Sequence, residues 1–321
     1  YYFVATMMPI DKIIGRIYPV FAFALVLMAV SLLICLCLHG TSEMPEITDG
    51  LQNRNQALGP IFPCLFISVA CGAISGMHAT QSPVMARCVK NERMGRVVFS
   101  GAMLTEGVIA LIWAAVSSYF FYGGGNVLMN AETVVDAPVV VSTVSKYWLG
   151  TFGGLLVILG VVSATISTGD TSLRAMRLMI AESFHIDQHR IHRRLFISVP
   201  IFVAVGLLLW FNYECKWGFD IVWQYFGWFN QTLSVFTLWM LTIFLYRFRK
   251  RPYYWVALLP ACFMTSVCAT YICVDKWGLN LSNELIPRVG IGVFITFFIL
   301  YYFARRGGRP SSAPEQKENR S

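Results

Sequence analysis

The chain has 321 residues, 56% hydrophobic and 13% charged, where an ordinary soluble domain carries roughly a quarter charged. So little polar surface excludes a water-soluble globule, and long apolar runs without period-2 alternation exclude a β-barrel, which leaves helices to satisfy the backbone in hydrocarbon. The formal charge of +8 sits in short clusters between apolar runs, the pattern of membrane topology and not of nucleic-acid binding.

The first ten residues, YYFVATMMPI, contain no initiating Met and read as the tail of an apolar segment. Further spans are therefore expected ahead of them, and no cleavable signal peptide is visible. Runs of about 20 apolar residues then predict an all-α bundle of about eight spans. These run from Tyr18 to Leu38, Ala57 to Gly76, Val97 to Tyr122, Tyr147 to Thr168, Leu195 to Phe211, Phe219 to Leu245, Tyr253 to Cys273 and Val289 to Phe303; the fifth and eighth are short.

The positive-inside rule gives an independent test. Lys12 and Arg16 precede the first span, and Arg87, Lys90, Arg93 and Arg96 follow the second. Arg174, Arg177, Arg190, Arg193 and Arg194 follow the fourth, Arg247, Arg249, Lys250 and Arg251 the sixth, and five more the eighth. Twenty of the 25 basic residues thus fall in every second connection, which places both ends of this chain in the cytoplasm. Residues 304–321, rich in Gly, Pro, Ser and charge, are expected to form a disordered cytoplasmic tail. Tyr and Trp gather at the span edges as an aromatic belt. The nine cysteines are scattered, mostly inside apolar runs, without metal-ligand spacing, and read as small buried or lipid-facing residues.

Polar groups within or beside these spans are the candidates for chemistry. The second span ends in SGMHATQSPVMARC from Ser75. Ser82 and Pro83 read as an N-cap and first helical residue, which makes Ser75, Gly76, His78, Thr80 and Gln81 a polar, non-helical stretch. Such backbone is tolerated at membrane depth where it is buried in protein or lines a cavity, and an imidazole can carry a proton. An ordinary cytoplasmic turn reads the same way.

In the third span Glu106 lies about 14 Å deep. Ionised in lipid it would cost at least about 2.5 to 3.5 kcal/mol, so it is expected to face the bundle interior, be protonated, or both, as a coupling carboxylate or a structural hydrogen-bonding group. The fourth span ends in SATISTGDTSLRAMRL from Ser163. There Asp170 or Thr168 is expected to cap a restarted helix carrying Thr171, Arg174 and Arg177, as in the discontinuous helices of secondary transporters or as an ordinary cytoplasmic cap. His185, His189 and His192 have i, i+4, i+7 spacing, but their basic neighbours argue for a solvated face and against a metal. In the sixth span Asn230 and Gln231 are adjacent, so they must look into different surroundings. They would line a path or hydrogen-bond between helices. No Walker loop, GxSxG elbow or HExxH is present, no cofactor or metal is expected, and a membrane enzyme has no constellation to support it.

Five blocks carry a resemblance: PIDKIIGRIYP from Pro9, SGMHATQSPVMARCVKNE from Ser75, GAMLTEGVIALIWAA from Gly101, TGDTSLRAMRL from Thr168 and GWFNQTL from Gly227. With them the chain resembles the bacterial carbon starvation protein A (CstA) family, although Met77 stands where an aromatic is usual. The resemblance implies a multi-pass carrier of the inner membrane that takes up peptides during carbon starvation, or pyruvate in some members, with protons as the coupling ion. It also implies a LeuT-like, inverted-repeat fold and family members longer at the N-terminus. Glu106, His78, Thr80, Gln81, Asp170, Thr171, Arg174, Asn230 and Gln231 are the expected substrate or proton path. A nutrient sensor that binds the same ligand without moving it is the rival from another class.

Overall fold

The computed structural model describes residues 14–39, 44, 60–122, 137–187, 190–215, 218–248, 251–275, 278–282 and 284–307. Of the expected disordered tail, residues 304–307 are helical as the end of the last helix, and the rest lies outside the described residues. The described residues are helical, without strands. Ten α-helices follow in order: α1 (Ile14–His39), α2 (Phe66–Ala73), α3 (Gly76–Cys88), α4 (Ala102–Tyr122), α5 (Ala137–Leu156), α6 (Ser163–Ser183), α7 (Ile191–Glu214), α8 (Gly218–Phe248), α9 (Trp255–Val274) and α10 (Ile286–Gly307).

Seven helical segments among these are long and apolar enough to cross a membrane. The predicted second span is different. Its apolar part is short, a π-helical turn at Ile61–Leu65 running into α2, and it breaks before α3 begins. The chain is a multi-pass membrane protein, with one of its eight predicted segments interrupted.

The chain divides into two compact units, residues 1–57 with 80–218, and residues 58–79 with 219–321. In the first unit α1 packs against α4, α5, α6 and the π-helical turn Val157–Val162. Met28, Leu32, Val116, Phe120 and Val144 form its buried core. The predicted fourth span is part of a longer run: α5 turns at Gly150 (φ 57°, ψ −140°), and from there helical backbone continues to Ser183. At 1.5 Å per residue that is about 50 Å, more than the roughly 30 Å of hydrocarbon, so the Arg-bearing end of α6 reaches beyond it.

In the second unit α9 is central. It packs against α10 and the turn Ile61–Leu65, and half of its apolar window is buried. Ala257, Ala261, Ser266 and Cys268 are buried on it, small residues that let neighbouring helices come close. Ile67, Val235, Leu238, Met264 and Val267 complete this core. The described cysteines are all free.

Close approach also sets the position of Gly160. A Cβ there would sit 3.1 Å from both Cα and N of Leu25, backbone atoms that cannot move aside. Gly160→Val is expected to destabilise the protein by about 1–3 kcal/mol. Gly206→Val, where a Cβ meets nothing within 4 Å, is expected to leave the thermal midpoint in detergent unchanged or raised, a comparison that a fluorescence melt would make directly.

Candidate functional site

The break in the second segment arises at Ile74, whose extended backbone (φ −140°, ψ 110°) ends α2. From Ile61 to Ala73 the helical rise is about 20 Å, less than the hydrocarbon thickness, so this segment does not cross a bilayer as one continuous helix. The groups it frees find partners in side chains. Ser75 caps α3: its Oγ accepts from the Met77 N–H at 3.2 Å, and its own N–H donates to His78 Nδ1 at 3.1 Å. This is a capping box in which His78 stands where Glu or Gln is usual. The same Nδ1 lies 3.0 Å from the Ser75 carbonyl oxygen, so one ring nitrogen faces both a donor and an acceptor of Ser75. The tautomer decides which it engages.

Ser75 is also tied to α8, its Oγ donating to Asn230 Oδ1 at 3.1 Å. The approach is close enough that a Cβ on Gly76 would come 2.7 Å from the Asn230 carbonyl oxygen and 2.9 Å from Oδ1. Gln231, the next residue, turns the other way. It is fully buried, Ser234 Oγ lies 3.2 Å from its Oε1, and its Nε2 has no hydrogen-bond partner. The two amides therefore do occupy different surroundings, one at the break and one in the interior.

In the first unit the second candidate cluster lies on α6. Asp170 and Arg174, 2% and 6% exposed, form an ion pair of 3.2 Å one helical turn apart. Tyr18 Oη lies 3.5 Å from the same Oδ2, while Asp170 Oδ1 is buried without a hydrogen-bond partner. Arg177 is buried one turn on, in the field of Arg174 and Arg194. Thr171 Oγ1 donates to the Ser167 carbonyl at 2.8 Å, and Gln81 Nε2 reaches Ser172 Oγ at 3.5 Å. Thr80 is half-buried. At the exposed end of α3, Arg87 pairs with Glu182 at 2.8 Å, and this carboxylate raises the guanidinium pKa above its ordinary value.

Several expectations are corrected. The stretch Gly76–Gln81 is helical, and Pro83 lies inside α3 instead of starting it; the break comes earlier because Ser75, not Ser82, makes the cap. Asp170 caps nothing, since α6 is continuous through it and its carboxylate is engaged by Arg174. Glu106 is exposed on α4 instead of buried, although it lies on the same helical stripe as Ile109, Trp113 and Phe120, which meet the core farther along. His185 sits in a turn with φ 53° and His192 in α7, so these two cannot share one helix face; His189 lies outside the described residues. Tyr18 joins Asp170 and Arg177 lies buried one turn beyond Arg174, although nothing beyond span position and topology marks them in the sequence. The i, i+4 Asp–Arg spacing was the available signal for the pair.

Residues 1–153 and 136–271 match the family described as Carbon starvation protein CstA. An uncharacterized membrane protein of Haemophilus influenzae is 43% identical over 38% of this chain and 37% of its own length. The peptide transporter CstA of Escherichia coli is 25% identical over 82% of this chain and 47% of its own, so the chain spans about half the length of that relative. The pyruvate/proton symporter BtsT of Escherichia coli is 31% identical over 35% of this chain and 16% of its own. No solved structure matches.

Gly76 offers the sharpest test of the break. Gly76→Ala is expected to destabilise the protein by about 1–3 kcal/mol. Adding Asn230→Ala should not restore the thermal midpoint, because the nearest atom is the Asn230 backbone oxygen and survives the second substitution.

Proposed function

We propose, since the chain belongs to the carbon starvation protein CstA family, that it forms the membrane core of a proton-coupled secondary transporter that takes up peptides. The observation that supports this reading is the helix break at Ile74–Ser75 in an apolar segment, bonded to Asn230. A span has no structural need of such a break, whereas a carrier needs main-chain and polar groups at that depth to meet a solute. The LeuT-like arrangement implied by the sequence blocks belongs to this proposal.

Asp170 is the coupling carboxylate on this reading, in place of Glu106. Its buried pair with Arg174 supports an exchange in which the carboxylate of an incoming peptide replaces Asp170 at the guanidinium. A proton then neutralises the displaced Asp170. Each buried charge thereby keeps a partner or is discharged, as the interior requires, and solute and proton bind together. The second reading, pyruvate with a proton, is favoured by the relative named pyruvate/proton symporter, and the same exchange at Arg174 would accept its carboxylate.

The test is uptake of labelled dipeptide by proteoliposomes of the chain under an inward proton gradient. Concentrative uptake that collapses when the gradient is dissipated is the expected result, and Asp170→Asn should lower it at least about tenfold while leaving a monodisperse protein. Dipeptide binding without accumulation would assign a sensor, and accumulation of labelled pyruvate alone would assign the second reading. Uptake indifferent to Asp170→Asn would remove that residue from the coupling.

A further inference from the structure

In the second unit a carboxylate stands among phenols and a thiol. Asp275 leaves the end of α9 at φ −58°, ψ 138°, its N–H donating to the Tyr271 carbonyl at 2.9 Å. The chain then folds back over the helix end. The N–H groups of Leu279 and Leu281 donate to the carbonyls of Ile272 and Cys273 at 3.1 and 2.8 Å, and that of Gly278 to the Asp275 carbonyl at 2.9 Å. These bonds fix the Asp275 backbone, and Tyr225 of α8 donates its hydroxyl to the carboxylate. Tyr271, one turn back on α9, and Cys64, in the turn Ile61–Leu65 that packs on α9, stand in the field of the same carboxylate. All four residues are half-buried, and all belong to one unit.

These surroundings are negative in sign. The C-terminal end of a helix carries partial negative charge and disfavours a carboxylate. Phenol rings present negative faces, and a hydroxyl that donates to a carboxylate keeps its lone pairs for a further donor. Among the described residues Asp275 has no ion pair, so its charge is met there only by a neutral hydroxyl. The donor set of one carboxylate, two phenols and one thiol does not suit a transition metal, and no three His, Cys, Asp or Glu side chains come together among the described residues. It does suit an organic ammonium. The carboxylate balances the charge, the phenol oxygens accept N–H groups, and the rings attract the cation.

We propose that Asp275, with Tyr225 and Tyr271, receives the amino-terminal ammonium of the transported peptide and so selects it over a solute without an amine. The inference rests on the peptide reading above and deepens it. Pyruvate has a carboxylate for an arginine but no ammonium for this cluster. On the expected topology α9 ends on the outer side, from which an incoming peptide arrives.

The test measures equilibrium binding of dialanine and of N-acetyl-dialanine, which keeps the carboxylate and lacks the ammonium, to the full chain in lipid nanodiscs. Dialanine is expected to bind about tenfold more tightly. Asp275→Asn should weaken dialanine to the level of the acetylated peptide while N-acetyl-dialanine binds as it does to the wild type. Asp275→Glu, which retains the charge, should keep the preference. If Asp275→Asn does not yield folded protein, Tyr271→Leu decides in its place: the preference should fall severalfold, and an unchanged one overturns the proposal. Equal or reversed affinities in the wild type, or a preference that survives Asp275→Asn, overturn it while the peptide reading stands. A wild type that binds neither peptide overturns the peptide reading and this proposal with it.

Discussion

A helix interrupted inside hydrocarbon frees N–H and C=O groups that no water can satisfy, and the arrangement around Ile74–Ser75 follows from that constraint. Ser75 gives its hydroxyl to the Met77 amide and to Asn230, and its own amide goes to His78. Each bond fixes a further feature. The bond to Asn230 requires α8 to pass close to the break, the close passage admits no side chain at Gly76, and the turn of α8 that aims Asn230 at Ser75 sends Gln231 into the interior. The break is thus held by a small group of residues from two parts of the chain.

The cluster on α6 follows the opposite logic. Its helix is unbroken, so no backbone group asks for a partner, and the charges themselves carry the demand. Asp170 and Arg174 are buried together, and neither can be left alone without a penalty of several kcal/mol. Such a pair is a weak source of stability but an effective exchange device. Any group that takes one partner must be matched by a group, or a proton, that takes the other. The two clusters therefore differ in kind: the break offers neutral hydrogen-bonding groups, and the ion pair offers charge.

Much of this was legible in the sequence. Composition and run length led to a helical membrane bundle because hydrocarbon imposes its constraint on each segment separately, without reference to neighbours. The polar stretch from Ser75 was recognised for the same reason, since polar residues at depth stand out. Its boundary was misplaced: Ser82–Pro83 has the familiar form of a helix start, whereas Ser75 with His78 makes a capping box with an unfamiliar third residue. At Asp170 the familiar preference for a cap again misled. Asp four residues before Arg is equally a helix-interior pair, and the choice between the two depends on what surrounds the helix.

Glu106 shows where a depth argument ends. Position along a span follows from counting residues, and a carboxyl group near the middle must have a partner. Which side of the helix that partner occupies is decided by tertiary packing. The inference from depth to interior assumes that every polar group of a membrane helix is answered within its own bundle. On α4 Ile109, Trp113, Val116 and Phe120 meet the core, and Glu106, on the same stripe one turn before Ile109, stands exposed.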